Sequence, residues 1–441
     1  MNQEKRISGL FDIFTTHSIP LLLRRPKRST VETKQLFAIV FSILLLGSGM
    51  FPFVMVGDAR AQSSSCDFVV PTHSSIQDRL TAASPGDTVC VDSGFYSGEL
   101  VIDTPGVTLQ SSSTQSQPVL SGSASGTAIT IDGADNVTVR GFEIHGYDTA
   151  FSVESSPNAT LVSNSILENS WAIRDRDTPS HDLTITDNLI QDNSIRAISI
   201  QGSDRTQIIG NHIAENSGSA SGPGYAIYIR GGSGGAGVVI EENTITAHDI
   251  GISIWTPDAV IRGNTITDHS NTAINLRTGL SGQNGHDALI EDNSLDNDGT
   301  NIAARSIRNP EIRNNTLFGS GIDIDFEFVR DATITDNEMI TGVMIDGSSR
   351  FHFDHEVAGN TIDGAPLVYL NGETAPMIPS TAGQIIVYDS AGVTISEVTI
   401  DSLAVGIQVA YSSDVTISNN TIGSRIMFLY PDMNLLIYFV F

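Results

Sequence analysis

Leu183-Thr-Ile-Thr-Asp-Asn-Leu-Ile190 returns, little altered, as Ala259-Val-Ile-Arg-Gly-Asn-Thr-Ile266 and Val415-Thr-Ile-Ser-Asn-Asn-Thr-Ile422. The sixth position of this phrase is taken by Phe142, Asn164, Asn188, Asn211, Asn243, Asn264, Asn293, Asn315, Asn337, Asn360, Val398 and Asn420. Most intervals are 21 to 24 residues, with three longer ones of 29, 32 and 38. A fixed period of that size, with occasional insertions, is one solenoid rung per repeat. Each rung offers only short strands with alternating inward Ile, Val or Leu, and none can bury its apolar face until neighbours stack on it. The fold expected is therefore all-β, a single-stranded right-handed parallel β-helix. The recurrent Asn suits a turn, where its amide bonds the rungs above and below and its backbone tolerates the left-handed region.

The residue before that Asn alternates between carboxylate and neutral: Ser163, Asp187, Gly210, Glu242, Gly263, Asp292, Asn314, Asp336, Gly359, Glu397, Asn419. With rungs about 4.8 Å apart, alternation keeps like charges roughly two spacings from each other.

Outward from the repeats, the chain divides into four parts. Residues 1–61 hold a basic stretch, an apolar run from Leu36 to Val56 and Ala59-Arg60-Ala61. That order is the plan of a signal peptide, and the run is also long enough that an uncleaved anchor stays open. The N-terminal cap and first rungs follow over 62–135, including a short Ser-capped amphipathic helix at Ser74–Ala83 that would close the bottom of the core. The β-helix repeats occupy 136–424. The tail, 425–441, is apolar and lacks the repeat, and is read as a truncated or non-native end or a makeshift cap. Cys66 and Cys90, the only two cysteines, are expected to pair in an oxidising exterior.

The net charge is −27, and every Lys lies before residue 35. Of the 23 basic and 50 acidic residues, 8 and 4 lie up to Ala61, which leaves 15 against 46 in the remainder. Such self-repulsion suits a medium where the screening length falls to about 3 Å, near 1 M salt, so a hypersaline exterior is expected and nucleic acid is excluded as a partner. A membrane is expected to be touched only through the N-terminal segment.

A second strand in each rung, as in Ala226-Ile-Tyr-Ile-Arg230 and Gly251-Ile-Ser-Ile-Trp255, sends Ile inward and the residues between outward. Aligned rungs place Arg174, Arg176, Tyr228, Arg230, Trp255, Arg277 and Arg305 on one face. Guanidinium groups bond carboxylate or sulfate in bidentate fashion and aromatic faces stack on sugar rings, so this face is the expected groove for an anionic polysaccharide. The alternative is that these Arg pair with nearby Asp and Glu. Asp323, Asp325 and Asp346 are expected to point outward beside the Arg stretch, where they would act as acid and base or hold Ca²⁺.

The opening Ile76-Gln…Ala83-Ser-Pro-Gly-Asp-Thr-Val-Cys-Val-Asp-Ser-Gly-Phe-Tyr96, the Asn-x-Ile repeats and the Ile362–Tyr388 and Val405–Ser412 segments resemble the NosD-like right-handed β-helix family over about residues 66–424. The resemblance implies the pectin-lyase-like fold, whose members include carbohydrate-binding proteins, sugar hydrolases, uronate lyases and epimerases. If the chain is an enzyme, the resemblance implies a polysaccharide lyase or glycoside hydrolase. It also implies a rival, periplasmic copper binding in nitrous oxide reductase maturation, and a structural or adhesive surface solenoid is the third reading. The sequence has no Gly-His-Gly, Asn-Thr-Asp or Asp-Pro-His-Asp motif, so no catalytic residue carries over. Its histidines, among them His73, His145, His248, His269, His352 and His355, are scattered, and no soft-ligand Cys or Met cluster accompanies them, so no metal ligand is assigned.

Overall fold

The computed structural model describes residues 66–429 and 435–438, apart from 176–177, 217–223, 232–234, 279–286 and 402–404. The expected signal segment, Arg176 and His286 lie outside the described residues. Three sheets of 13, 11 and 16 strands build the solenoid; up to Ile362 they are parallel, with successive rungs adding one short strand to each. Register is strict: Ile185, Ile208, Ile240, Ile261, Ile290, Ile312 and Ile334 face one another down the 13-stranded sheet. All seven are fully buried, and each side chain so buried contributes roughly 1.5–3 kcal/mol.

The Asn phrase forms the corner between the 13- and 16-stranded sheets. Asn188 Oδ1 accepts the Asn164 N–H at 2.9 Å, its own N–H goes to Asn211 Oδ1 at 3.0 Å, and its Nδ2 reaches the Leu161 and Thr186 carbonyls. The same pattern runs unbroken to Asn360. The left-handed backbone falls on the preceding residue, not on the Asn: φ is +54° at Asp187, +56° at Glu242 and +66° at Gly210. The alternation there has a steric side as well, since a Cβ on Gly210 would lie 2.8 Å from Asp187 Oδ1.

A second ladder, at the next corner, joins Asn169, Asn193 and Asn216 and ends in His248 and His269. At the N-terminal end, helix α1 (Ile76–Ala82) is capped by the Ser75 hydroxyl, which accepts the Asp78 N–H at 3.1 Å, and buries Ile76 and Leu80. Cys66 and Cys90 form a disulfide, with Cα atoms 5.7 Å apart.

The interval of 38 residues is a break in the solenoid, not an insertion. Thr361–Ile362 pairs antiparallel with Ala365–Asn371, which then starts a new parallel stack with Gln384–Tyr388 and Val405–Ala410. This stack packs its own core around Ile385, Val387, Ile395, Ile407 and Val409. The apolar tail, expected to lie outside the repeat, adds to it: Arg425–Leu429 pairs with Val405–Ala410, and Leu435–Tyr438 with Val415–Ser418. A short run of apolar, strand-favouring residues suffices for a strand without the Asn phrase.

Candidate functional site

The strands of the 11-stranded face share a burial pattern that strict alternation misses. In Tyr225–Arg230, Ala226 and Ile227 are both fully buried while Tyr225 and Arg230 are partly exposed. The small residue sits where the chain turns into the sheet, as do Ala150, Ala172, Ala197, Gly251 and Ala273 in other rungs, so the residue before it also points outward. Each strand thus points three positions away from the core, though several are covered by their neighbours: Ser199, Tyr228, Ser253 and Asn275 in the middle column and Ile250 and Thr272 in the first are buried. The first column carries Trp171, Arg196 and Tyr225 in register. In the middle one Arg174, Ser199, Tyr228, Ser253 and Asn275 follow in turn. The third has Gln201 opposite Arg230, Arg230 opposite Trp255, and Arg277 opposite Arg305.

These positions bring cations and rings together. The Arg196 guanidinium lies over Tyr228, Tyr225 and Trp171 at 4.4, 4.9 and 5.3 Å from their ring centres. Arg174 covers Trp171 at 4.7 Å and Arg277 stands 5.8 Å from Trp255. Tyr225 and Tyr228 are 5.0 Å apart, and Trp255 meets the edge of Tyr228 at 6.3 Å. Desolvation by this packing lowers the Arg196 pKa from its ordinary value, yet the group stays charged. Each contact of this kind is worth roughly 0.5–2 kcal/mol. Sequence reasoning missed Trp171, Arg196 and Tyr225; the signal was the buried Ala-Ile pair that follows each.

The carboxylate-paired arginines lie mostly elsewhere. Arg262 bonds Glu241 at 2.9 Å and Arg313 bonds Glu291 at 2.8 Å, both on the 13-stranded face. On the 11-stranded face Arg305 is bonded to Glu327, while Arg196, Arg230 and Arg277 have no ion pair among the described residues. Arg176 lies outside them.

The expected carboxylate trio does not assemble. Asp323 is fully buried; its Oδ2 accepts the Ile340 and Gly342 N–H groups, each at 2.9 Å, and its Oδ1 accepts Asn301 Nδ2 at 2.9 Å. It occupies the inward corner before strand Ile324–Glu327, one rung beyond Asn301, which is why alternation placed it wrongly. Asp325 lies in the middle column opposite Ala303 and Met344, while Glu327 and Asp346 continue the outer column after Arg305. Partial burial, with Glu327 and Asp346 close by, holds the Asp325 carboxyl above the ordinary range against the pull of Arg305.

No three His, Cys, Asp or Glu side chains converge on a metal position among the described residues. His248 and His269 come closest, with ring centres 5.6 Å apart, but one nitrogen of each is spent on the ladder, leaving His248 Nδ1 and His269 Nε2. His352 and His355 sit in and after the 3₁₀ turn Arg350–His352, with His355 Nε2 3.0 Å from the His352 carbonyl. These residues do not fit a copper site. No described helix is long and apolar enough to cross a membrane.

Residues 80–270 match the family described as periplasmic copper-binding protein (NosD), and residues 197–362 match the right-handed β-helix region. No curated protein matches the chain. Among solved structures, the catalytic domain of a GH87 α-1,3-glucanase (D1069A) in complex with tetrasaccharides is 13% identical, with TM-score 0.51 over 86% of this chain and 69% of that one. An alginate lyase from Paenibacillus sp. str. FPU-7 is 13% identical, with TM-score 0.40 over 83% and 98%. Pectate lyase Pel9A is 13% identical, with TM-score 0.48 over 62% and 80%. At such identities the likeness is one of fold.

Proposed function

Since this chain belongs to the NosD-like family of right-handed parallel β-helix proteins, we propose that it is an exported solenoid that binds an acidic polysaccharide along its 11-stranded face. One observation carries the reading: on a chain of net charge −27, Arg196, Arg230 and Arg277 gather on one face with Trp171, Tyr225, Tyr228 and Trp255, while the carboxylate-bonded Arg262 and Arg313 lie on another and, among the described residues, only the far end of this face carries such a pair, Arg305 with Glu327. Rings supply stacking surface for sugars and guanidinium groups bond anionic substituents. The glucanase named above, described in complex with tetrasaccharides, supports a glycan as the partner class. Affinity electrophoresis of the protein through gels containing acidic or neutral polysaccharides tests this. Retardation by an acidic polymer, lost in Trp255→Ala and kept in Arg262→Gln, is the expected result; equal mobility in every gel contradicts it.

Turnover is a second reading, favoured by the raised Asp325 carboxyl beside Glu327 and Asp346 at the end of the same face. A group so tuned suits acid or base work, or Ca²⁺ held by the cluster. Release of unsaturated uronate, abolished by Asp325→Asn, is its test. Copper binding, which the family description supplies, has no three-ligand cluster among the described residues to carry it. The hypersaline setting is likewise our proposal from the acidic, lysine-poor composition: the melting temperature is expected to climb as KCl is raised to molar levels.

A further inference from the structure

The outer column of the face holds a register of its own. Arg230 pairs with Trp255 on the next rung, and Arg277, opposite Arg305, follows on the rung after. Parallel strands lie about 4.8 Å apart, so the two arginines stand roughly 10 Å apart with an indole between them. A pyranose unit in an extended chain is about as long as one rung is thick. A polysaccharide lying along the solenoid axis therefore advances about one sugar per rung.

We infer that this register selects a polymer of alternating acidic and neutral sugars, its anionic groups on Arg230 and Arg277 and the neutral ring between them on Trp255. The inference rests on the glycan-binding reading given above. Trp255 is held for this role: its Nε1–H donates to Ser253 Oγ at 3.0 Å, and the Tyr228 ring supports it from the side. Arg277 is oriented through Nε, which donates to Asn275 Oδ1 at 3.2 Å, and its terminal nitrogens have no hydrogen-bond partner among the described residues. Arg196 does not count toward the register, because Trp171, Tyr225 and Tyr228 already surround its guanidinium. Beyond Arg277 the register closes, since Arg305 is bonded to Glu327. A charge on the middle sugar would be pressed against an indole, where a desolvated anion is costly.

The test compares three soluble polymers by titration calorimetry: hyaluronan, with one carboxylate per disaccharide; polygalacturonate, with one on every sugar; and neutral dextran. The protein is expected to bind hyaluronan at least tenfold tighter than polygalacturonate and not to bind dextran. Arg230→Gln and Arg277→Gln are each expected to weaken hyaluronan about tenfold. Trp255→Arg, which places a third cation in the gap, is expected to reverse the preference, a change that misfolding does not produce. Equal affinity for both acidic polymers, unmoved by Trp255→Arg, overturns the register and leaves glycan binding standing. Binding to none of the three, or to dextran as well as to the others, overturns the register together with the reading beneath it.

Discussion

The side-chain amide of Gln384 pairs with the backbone of Val343 as another strand would, accepting its N–H at 3.0 Å and donating to its carbonyl at 2.7 Å. Gln408 does the same to Ile345. Both contacts fall on Val343–Asp346, the last strand of the 11-stranded sheet. At the first strand of that sheet, Gln77 of α1 accepts the Val101 N–H at 2.8 Å and donates to its carbonyl at 3.1 Å. An open strand edge invites pairing with another chain, and here glutamine amides occupy both edges of the face that carries the candidate site.

Removing these amides has a defined cost. Gln384 and Gln408 are buried, so Gln384→Ala strands a buried N–H and C=O, at about 1–3 kcal/mol apiece. Urea denaturation of Gln384→Ala is expected to show a loss of roughly 2–4 kcal/mol, and the Gln384→Ala/Gln408→Ala double variant is expected to form higher oligomers on size exclusion. Wild-type stability in the single variant would mean that the edge needs no such partner.

The histidines that end the second ladder predict loss of stability in acid. Burial lowers the His248 pKa from 6.5 to about 3 and the His269 pKa to about 4. The unfolded chain therefore takes up protons first as pH falls below 6.5, and stability drains from there toward pH 4, at up to about 3 kcal/mol per histidine. His248→Asn/His269→Asn continues the Asn ladder with neutral groups. Its stability, followed by chemical denaturation, is expected to fall less than wild type over that window.

Asp175 acts in the opposite sense. It is fully buried beneath Arg174, hydrogen-bonded to Ser203, and its pKa is pushed up from 3.8 to about 6 by burial. The folded chain holds this proton more tightly than the unfolded one, so the contribution is present below pH 4 and lost as pH rises through 6. Asp175→Asn is expected to gain roughly 2–3 kcal/mol over wild type at pH 8 and nothing at pH 3.5. An equal difference at both pH values would contradict the assignment.

The architecture was readable from the Asn phrase because its spacing records one rung and its neighbours are Ile. The alternation of Asp187 and Gly210 was readable too, but its charge explanation missed that this position, not the Asn, carries the left-handed backbone. What alternation could not reveal lies at corners. Ala226 and Ile227 are buried in succession where the chain bends into the sheet, which hid Trp171, Arg196 and Tyr225. The same bend turned Asp323 inward and shifted Asp325 into the middle column. The hairpin at Thr361–Ile362 and Ala365–Asn371 did leave a signal, the Asp363-Gly364 pair of a two-residue turn with both residues at positive φ, but the repeat count registered it only as a long interval.

The most direct measurement is a crystal structure of the protein soaked with an acidic oligosaccharide. The account predicts density along the 11-stranded face over strands Tyr225–Arg230, Ile250–Trp255 and Thr272–Arg277, with one sugar ring on Trp255. Ordered sugar at another place, such as the hollow lined by Ile76, Gln77, Phe95 and Tyr96 beside α1, with this face bare, would contradict it.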